Sequence, residues 1–131
     1  KDTIAIVPSA SYGIETAAKN LYNIVKNDIV VLNNQFPSNI YPWFRLAKEK
    51  NLKVRRVSNN CCDLTTSILE SMDDHCDLVA VPNVLWTTGE IIDLAQIRQK
   101  CDLINAALVL DLTQSAGAMI TNLNKIKPVS F

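Results

Sequence analysis

The chain has 131 residues, 48% of them hydrophobic and 20% charged, with 13 basic residues balancing 13 acidic ones. That is the scale of one domain or a piece of one, and the even charge removes any argument for nucleic acid, an anionic membrane or a strongly acidic partner. No apolar run approaches the roughly 20 residues needed to cross a bilayer, and no stretch reads as a signal peptide.

In chain order, Thr3-Ile4-Ala5-Ile6-Val7 is a short apolar run that predicts a strand, closed by Pro8-Ser9-Ala10-Ser11-Tyr12-Gly13. From Ile14 the period turns helical, with Ala17, Ala18, Leu21, Ile24 and Val25 on one face and Lys19, Asn20 and Asn23 on the other. Asp28 to Leu32 predicts a second strand. Asn39 to Lys50 predicts a helix whose inner face includes Phe44, Leu46 and Ala47, with Pro42 tolerated in its first turn. Leu52 to Val57 alternates, as a strand near a sheet edge does. Asp63 is the expected N-cap of a helix reaching Met72. Leu78 to Val81 is the next strand, Asp93 caps a helix over Leu94, Ile97 and Cys101, and Ala106 to Leu110 closes the series. Apolar strands separated by amphipathic helices predict an α/β three-layer sandwich, a mostly parallel sheet with helices on both faces. A further apolar strand is expected to start at Lys127-Pro128-Val129-Ser130-Phe131, so the chain reads as an excerpt that would be poorly soluble or molten if expressed alone.

The four cysteines, Cys61, Cys62, Cys76 and Cys101, have neither the spacing of a disulfide framework nor that of a CxxC metal site. Reduced thiols in a cytoplasmic protein are expected. His75 reads as a solvated residue between a helix and a strand, and no metal site is expected.

In open parallel sheets ligands bind beyond the carboxyl ends of the strands, and the informative residues gather there. Ser9-Ala10-Ser11-Tyr12-Gly13 opens straight into a helix, whose free N–H groups suit a phosphate; equally, Ser11 could simply cap that helix. It is neither GxGxxG nor GxxxxGK[ST], so dinucleotide and nucleoside-triphosphate readings lose their support. Phe36 stands alone in Asn33-Asn34-Gln35-Phe36-Pro37-Ser38-Asn39 and could wall an aromatic ligand or staple the next helix. Asn83 follows the Leu78–Val81 run. Asp111 ends the last apolar run with no evident partner, a costly place for a carboxylate, and Gln114 lies three residues on.

Together these residues resemble the large domain of fold type I pyridoxal-phosphate enzymes of the aminotransferase class V group, which includes cysteine desulfurases, kynureninase and related transaminases. The resemblance runs through nearly the whole chain. It is most specific in Val81-Pro-Asn-Val-Leu-Trp-Thr-Thr-Gly-Glu-Ile-Ile-Asp93 and in Val109-Leu-Asp-Leu-Thr-Gln-Ser-Ala-Gly-Ala118, which is similar to the family's D-x-x-Q segment. Phe36-Pro37-Ser38-Asn39-Ile40-Tyr41-Pro42-Trp43 looks most like kynureninase-type members, since desulfurases usually have His at the Phe36 position.

The resemblance implies pyridoxal 5'-phosphate as cofactor and an amino-acid substrate handled through an aldimine and a quinonoid, in a homodimer with no nucleic-acid or membrane partner. Asp111 would pair with the pyridine nitrogen, Gln114 and Asn83 would hydrogen-bond the phenolic oxygen, and Phe36 would stack on the ring. Ala10, Ser11 and the Tyr12 backbone would hold the phosphate, with Asn39 nearby. Residues 1–131 would then be part of the cofactor-binding large domain. The catalytic lysine segment and the C-terminal small domain would lie outside this chain, because Lys125 and Lys127, the only lysines after Asp111, come too early. Kynureninase-like or transaminase activity is expected ahead of cysteine desulfuration. The alternative is a non-catalytic relative serving as a binding or regulatory module.

Overall fold

The computed structural model describes residues 4–58 and 63–130. Cys61 and Cys62 therefore lie outside the described residues. The elements are α1 (Ala10–Leu21), β1 (Asp28–Leu32), a 3-10 turn (Pro37–Asn39), α2 (Tyr41–Lys50), β2 (Val54–Val57), α3 (Leu64–Glu70), β3 (Cys76–Pro82), α4 (Leu94–Ile104), β4 (Ala107–Asp111) and α5 (Leu123–Ile126). The four strands form one sheet in the order β2-β1-β3-β4, and every pair in it is parallel.

Alternation of side chains along the strands divides the core in two. Ile29 and Val31 of β1, Leu78 and Ala80 of β3 and Val109 of β4 pack against Ile14, Ala17, Ala18 and Leu21 of α1 and Trp43, Leu46 and Ala47 of α2. Val30, Leu32, Val79, Val81, Leu108 and Leu110 face the other way, onto Leu64 and Ile68 of α3 and Leu94, Ile97 and Cys101 of α4. The three-layer α/β arrangement expected from the sequence is thus present. Each fully buried aliphatic side chain removed from water contributes about 1.5–3 kcal/mol, which is why an uninterrupted apolar run such as Leu108-Val109-Leu110 settles between two helical layers.

Three caps read from the sequence fix where helices begin. Asp63 accepts from Thr66 N at 3.1 Å, and Asp93 accepts from Ala95 N and Gln96 N at 2.9 and 3.1 Å. The third differs in position: Ser9, not Ser11, caps α1, its hydroxyl accepting from Tyr12 N at 3.2 Å. Helix α1 consequently starts four residues earlier than the apolar period indicated. Ile24, expected on its inner face, lies beyond its end and is exposed, whereas Val25 is fully buried.

At the sheet edge, β2 carries Arg55, whose guanidinium contacts Asp28 of β1 at 2.7 Å and Asp73 at 2.8 Å. The hydrogen bond that the guanidinium donates to Asp73 leads the upward shift of its pKa. This explains the wetter face that the alternating sequence indicated.

Two regions depart from the sequence reading. Residues 4–7 form no strand, because no described segment pairs with their backbone; Ile4 and Ile6 are exposed. Helix α5 has no signature in the sequence, since four residues carry no period. Beyond it the chain bonds to β4, with Val129 N donating to Leu108 O at 2.8 Å and Leu110 N to Ser130 O at 2.9 Å. The strand-like start seen in Lys127 to Ser130 is therefore real as an isolated parallel bridge, Val109 to Ser130.

Candidate functional site

The chain leaves β1 in one direction along the sheet, towards β2, and reaches β3 on its other side. The carboxyl ends of β1 and β3 therefore flank the point where the strand order switches, the place where open parallel sheets bind ligands. A cleft of about 350 Å³ lies there, within the range of small-molecule sites. Of the residues the sequence singled out, Ala10, Ser11, Phe36, Asp111 and Gln114 line it together. They come from the start of α1, the loop after β1 and the end of β4, the first and last of them more than 100 residues apart.

Asp111 is half-buried rather than deeply buried, and it is not partnerless. Thr113 donates to its Oδ1 twice, from N at 3.0 Å and from Oγ1 at 2.6 Å. This local turn corrects the expectation of an unpaired carboxylate: the acid is held by its own chain. Both bonds fall on Oδ1, so the carboxylate is oriented with Oδ2 taking part in neither. Gln114 is exposed to the cleft.

In the same cleft, α1 presents its first turn with three hydroxyls around it. Ser9 caps the helix, and Ser11 Oγ donates to Ser38 Oγ at 2.9 Å. Ser9 and Ser38 also line the cleft. Helix N-termini attract anions through unpaired N–H groups and the helix dipole. The Tyr12 N–H is already taken by Ser9, and the Tyr12 side chain points to solvent, so Tyr12 is not among the lining residues.

Phe36 forms the wall, 47% exposed, and meets Trp86 edge-on with ring centroids 5.5 Å apart and planes at 86°. Asn39 is fully buried below it, its Oδ1 3.5 Å from Trp43 Nε1, and does not reach the cleft. Asn83 is also buried and off the lining. Its Nδ2 donates to Ile92 O at 3.3 Å, its N donates to Asp111 O at 3.3 Å, and its Oδ1 has no partner. Gln35 lines the cleft while 5% exposed; Nε2 donates to Asn39 O and Ala80 O, leaving Oε1 unpartnered. Buried polar atoms without partners are costly, and two of them sit beside one cleft.

Sequence reasoning missed Ser9, Gln35, Ser38, Thr113 and Trp86. All five stand in the loops that were singled out, but an irregular loop has no period to say which side chains turn inward.

Among the described residues there is no cluster of His, Cys, Asp and Glu able to hold a metal, and no helix is long and apolar enough to cross a membrane. His75 is an exposed turn residue, as expected. Cys76 and Cys101 are buried free thiols inside the core, pushed up by burial to about 12 and about 11. They are neutral and remote from the cleft lining.

A helix N-terminus ringed by hydroxyls, an oriented carboxylate and an aromatic wall line one cleft, a set of groups suited to a planar, phosphorylated heterocycle. The Aminotransferase class-V family model matches residues 1–128. The chain belongs to the aminotransferase class V family. Within this class V family, a Pyrococcus abyssi protein named "Probable cysteine desulfurase" is 30% identical over 129 residues, covering 96% of this chain and 32% of that protein. A protein of the same name from Borreliella burgdorferi is 28% identical over 120 residues, 87% of this chain and 28% of its own. Among solved structures, the apo cysteine desulfurase of Thermococcus onnurineus superposes with a TM-score of 0.81 at 29% identity, over 90% of this chain and 30% of that one. The cysteine desulfurase CsdA of Escherichia coli gives 0.82 at 17% identity, over 90% and 31%, and shows the shared fold. The chain spans about a third of the length of the curated relatives it matches.

Proposed function

We propose that this chain is the cofactor-holding portion of a class V enzyme that binds pyridoxal 5'-phosphate and transforms an amino acid. The observation that carries the reading is the convergence of Asp111, oriented by Thr113, the start of α1 and Phe36 on one cleft. A carboxylate and a helix N-terminus with hydroxyls in one aromatic-walled cleft suit the two polar groups of that cofactor, its ring nitrogen and its phosphate. Bound there, pyridoxal phosphate supplies an electron sink for charge developing on a substrate's α-carbon.

The chain's own residues have separable tasks. Ser9, Ser11, Ser38 and the first turn of α1 bind the phosphate and fix its end of the cleft. Asp111 holds a proton on the ring nitrogen, and Thr113 keeps that carboxylate from turning away. Phe36 covers one face and excludes water from it. Gln114 reaches the ring's edge from the same turn as Asp111. Asn83, buried off the lining, holds the backbone of Asp111, its N–H donating to Asp111 O. The lysine that anchors the cofactor in this family, the small domain and a homodimer in the cytoplasm belong to the same proposal for the whole protein.

As for the reaction, Phe36 in place of the histidine usual in desulfurases supports a kynureninase-like or transaminase activity. A second reading, cysteine desulfuration, is favoured by the names of the relatives matched. The test is to titrate the full-length protein with pyridoxal phosphate and follow its visible absorbance, then supply kynurenine, an amino-acid and keto-acid pair, or cysteine. Saturable binding of one cofactor per chain is expected, with product from one of the first two. Sulfur release from cysteine alone would decide for the second reading, and no saturable binding would overturn both.

A further inference from the structure

The loop between β3 and α4 carries a residue that no element of the cleft's chemistry requires, yet the structure ties it into the cleft wall. Trp86 is 50% exposed, lines the cleft and packs edge-to-face with Phe36. Its Nε1 donates to Asn34 O at 2.9 Å, so the indole also grips the backbone two residues before Phe36. The two contacts come from separate strand ends, β1 for Asn34 and Phe36, β3 for Trp86.

The loop that presents Trp86 is itself well ordered by its bonds. Leu85 N donates to Glu90 O at 2.9 Å, Gly89 N to Leu85 O at 2.8 Å and Ile92 N to Asn83 O at 2.9 Å, with an antiparallel bridge between Val84 and Ile91. Gly89 takes the left-handed conformation that closes this turn, φ 75°. Leu85 and Ile92 are buried and anchor the loop from beneath. Trp86 is therefore a large side chain on a fixed base, and the loop that carries Phe36 is held through Asn33, Gln35 and Ser38, leaving the exposed Phe36 ring itself to Trp86.

We propose that Trp86 is the positioning residue for Phe36: its edge contact and its hydrogen bond to Asn34 set the angle of the aromatic wall against which the cofactor ring lies. This rests on the cofactor reading of the cleft. An edge-to-face aromatic pair holds a ring in one orientation, since the positive edge of one prefers the negative face of the other. A phenylalanine left to rotate freely would offer its face to the ligand only part of the time.

The test uses the full-length protein, pyridoxal phosphate as the probe and two variants, Trp86→Ala and Trp86→Phe. Three quantities are read: the affinity for the cofactor, the circular dichroism of the bound cofactor, which reports ring orientation, and the thermal midpoint of the cofactor-free protein. Trp86→Ala should bind about tenfold more weakly and change the sign or size of the cofactor dichroism, because it loses both the ring edge and the N–H. Trp86→Phe keeps an aromatic edge and should restore the dichroism while losing about threefold to fivefold in affinity. The cofactor-free midpoints should stay close to the parent's, as expected for half-exposed positions. If the parent binds and Trp86→Ala matches it in affinity and dichroism, the positioning role is overturned and the cofactor reading stands. Should Trp86→Ala fail to fold, a Trp86→Phe protein with dichroism as altered as that of a Phe36→Ala variant would overturn it. A parent protein with no saturable binding overturns the cofactor reading itself.

Discussion

Replacing Asp111 with Asn separates the charge of the site from its shape. Both hydrogen bonds from Thr113 fall on Oδ1, at 3.0 and 2.6 Å. Asparagine keeps an oxygen there, so the turn survives, but its Nδ2 puts a donor where Oδ2 would accept. Two losses follow at the ring nitrogen. The charged hydrogen bond disappears, worth about 2 kcal/mol, and the ring nitrogen, now facing a donor, gives up its proton, which weakens the electron sink by about a further 2 kcal/mol. Together these come to about 4 kcal/mol, on the order of a thousandfold in turnover at 1.36 kcal/mol per decade. The assay is steady-state kcat of the full-length enzyme at saturating pyridoxal phosphate, with Thr113→Val measured beside it. Thr113→Val retains the charge and loses only the Oγ1 bond, about 1 kcal/mol or roughly fivefold. An Asp111→Asn enzyme within about threefold of the parent would refute the role, and so would a Thr113→Val enzyme slower than Asp111→Asn.

Three further outcomes are expected. Ser9→Ala removes the cap of α1 and should lower stability by about 1 kcal/mol, read from the urea midpoint; an unchanged midpoint would show that the cap is dispensable. Burial pushes the Asp77 carboxyl up, but bonds from Lys26 N, Asn27 Nδ2 and Asn27 N outweigh it and hold the group below the usual carboxylate range. Because its folded pKa is depressed, the stability it adds is present above the unfolded value of about 3.9 and is lost as pH falls through the folded one. Asp77→Ala should thus cost about 1–2 kcal/mol at neutral pH, a gap that narrows in acid unfolding experiments below about pH 4; a gap that widens there contradicts the assignment. Finally, Cys76 and Cys101, buried and pushed to about 12 and about 11, should resist iodoacetamide at pH 8 in the native protein and react in urea, as judged by mass spectrometry.

Much of the architecture was legible without coordinates because the signals are short-range. The run Asp28 to Leu32 is apolar after its first residue and is β1 to the residue. Asp63 and Asp93 cap helices where a carboxylate precedes an apolar period, since both bonds form within three residues of chain. Thr3 to Val7 has the same local signature as the strands. Whether such a run becomes a strand depends on a neighbouring backbone, and no described segment supplies one.

For the site, composition and order determined which residue types stand at the carboxyl ends of the strands: hydroxyls before α1, Phe36 after β1, Asn83 after β3, Asp111 and Gln114 after β4. Only the tertiary structure decided which of them share a space. It turned Asn39 and Asn83 away from the lining, gave the α1 cap to Ser9, closed Thr113 onto Asp111 and set Trp86 against Phe36. The reason is physical. A helix or strand repeats its geometry, so a pattern in sequence fixes a face, whereas a loop side chain points where contacts from distant strands direct it.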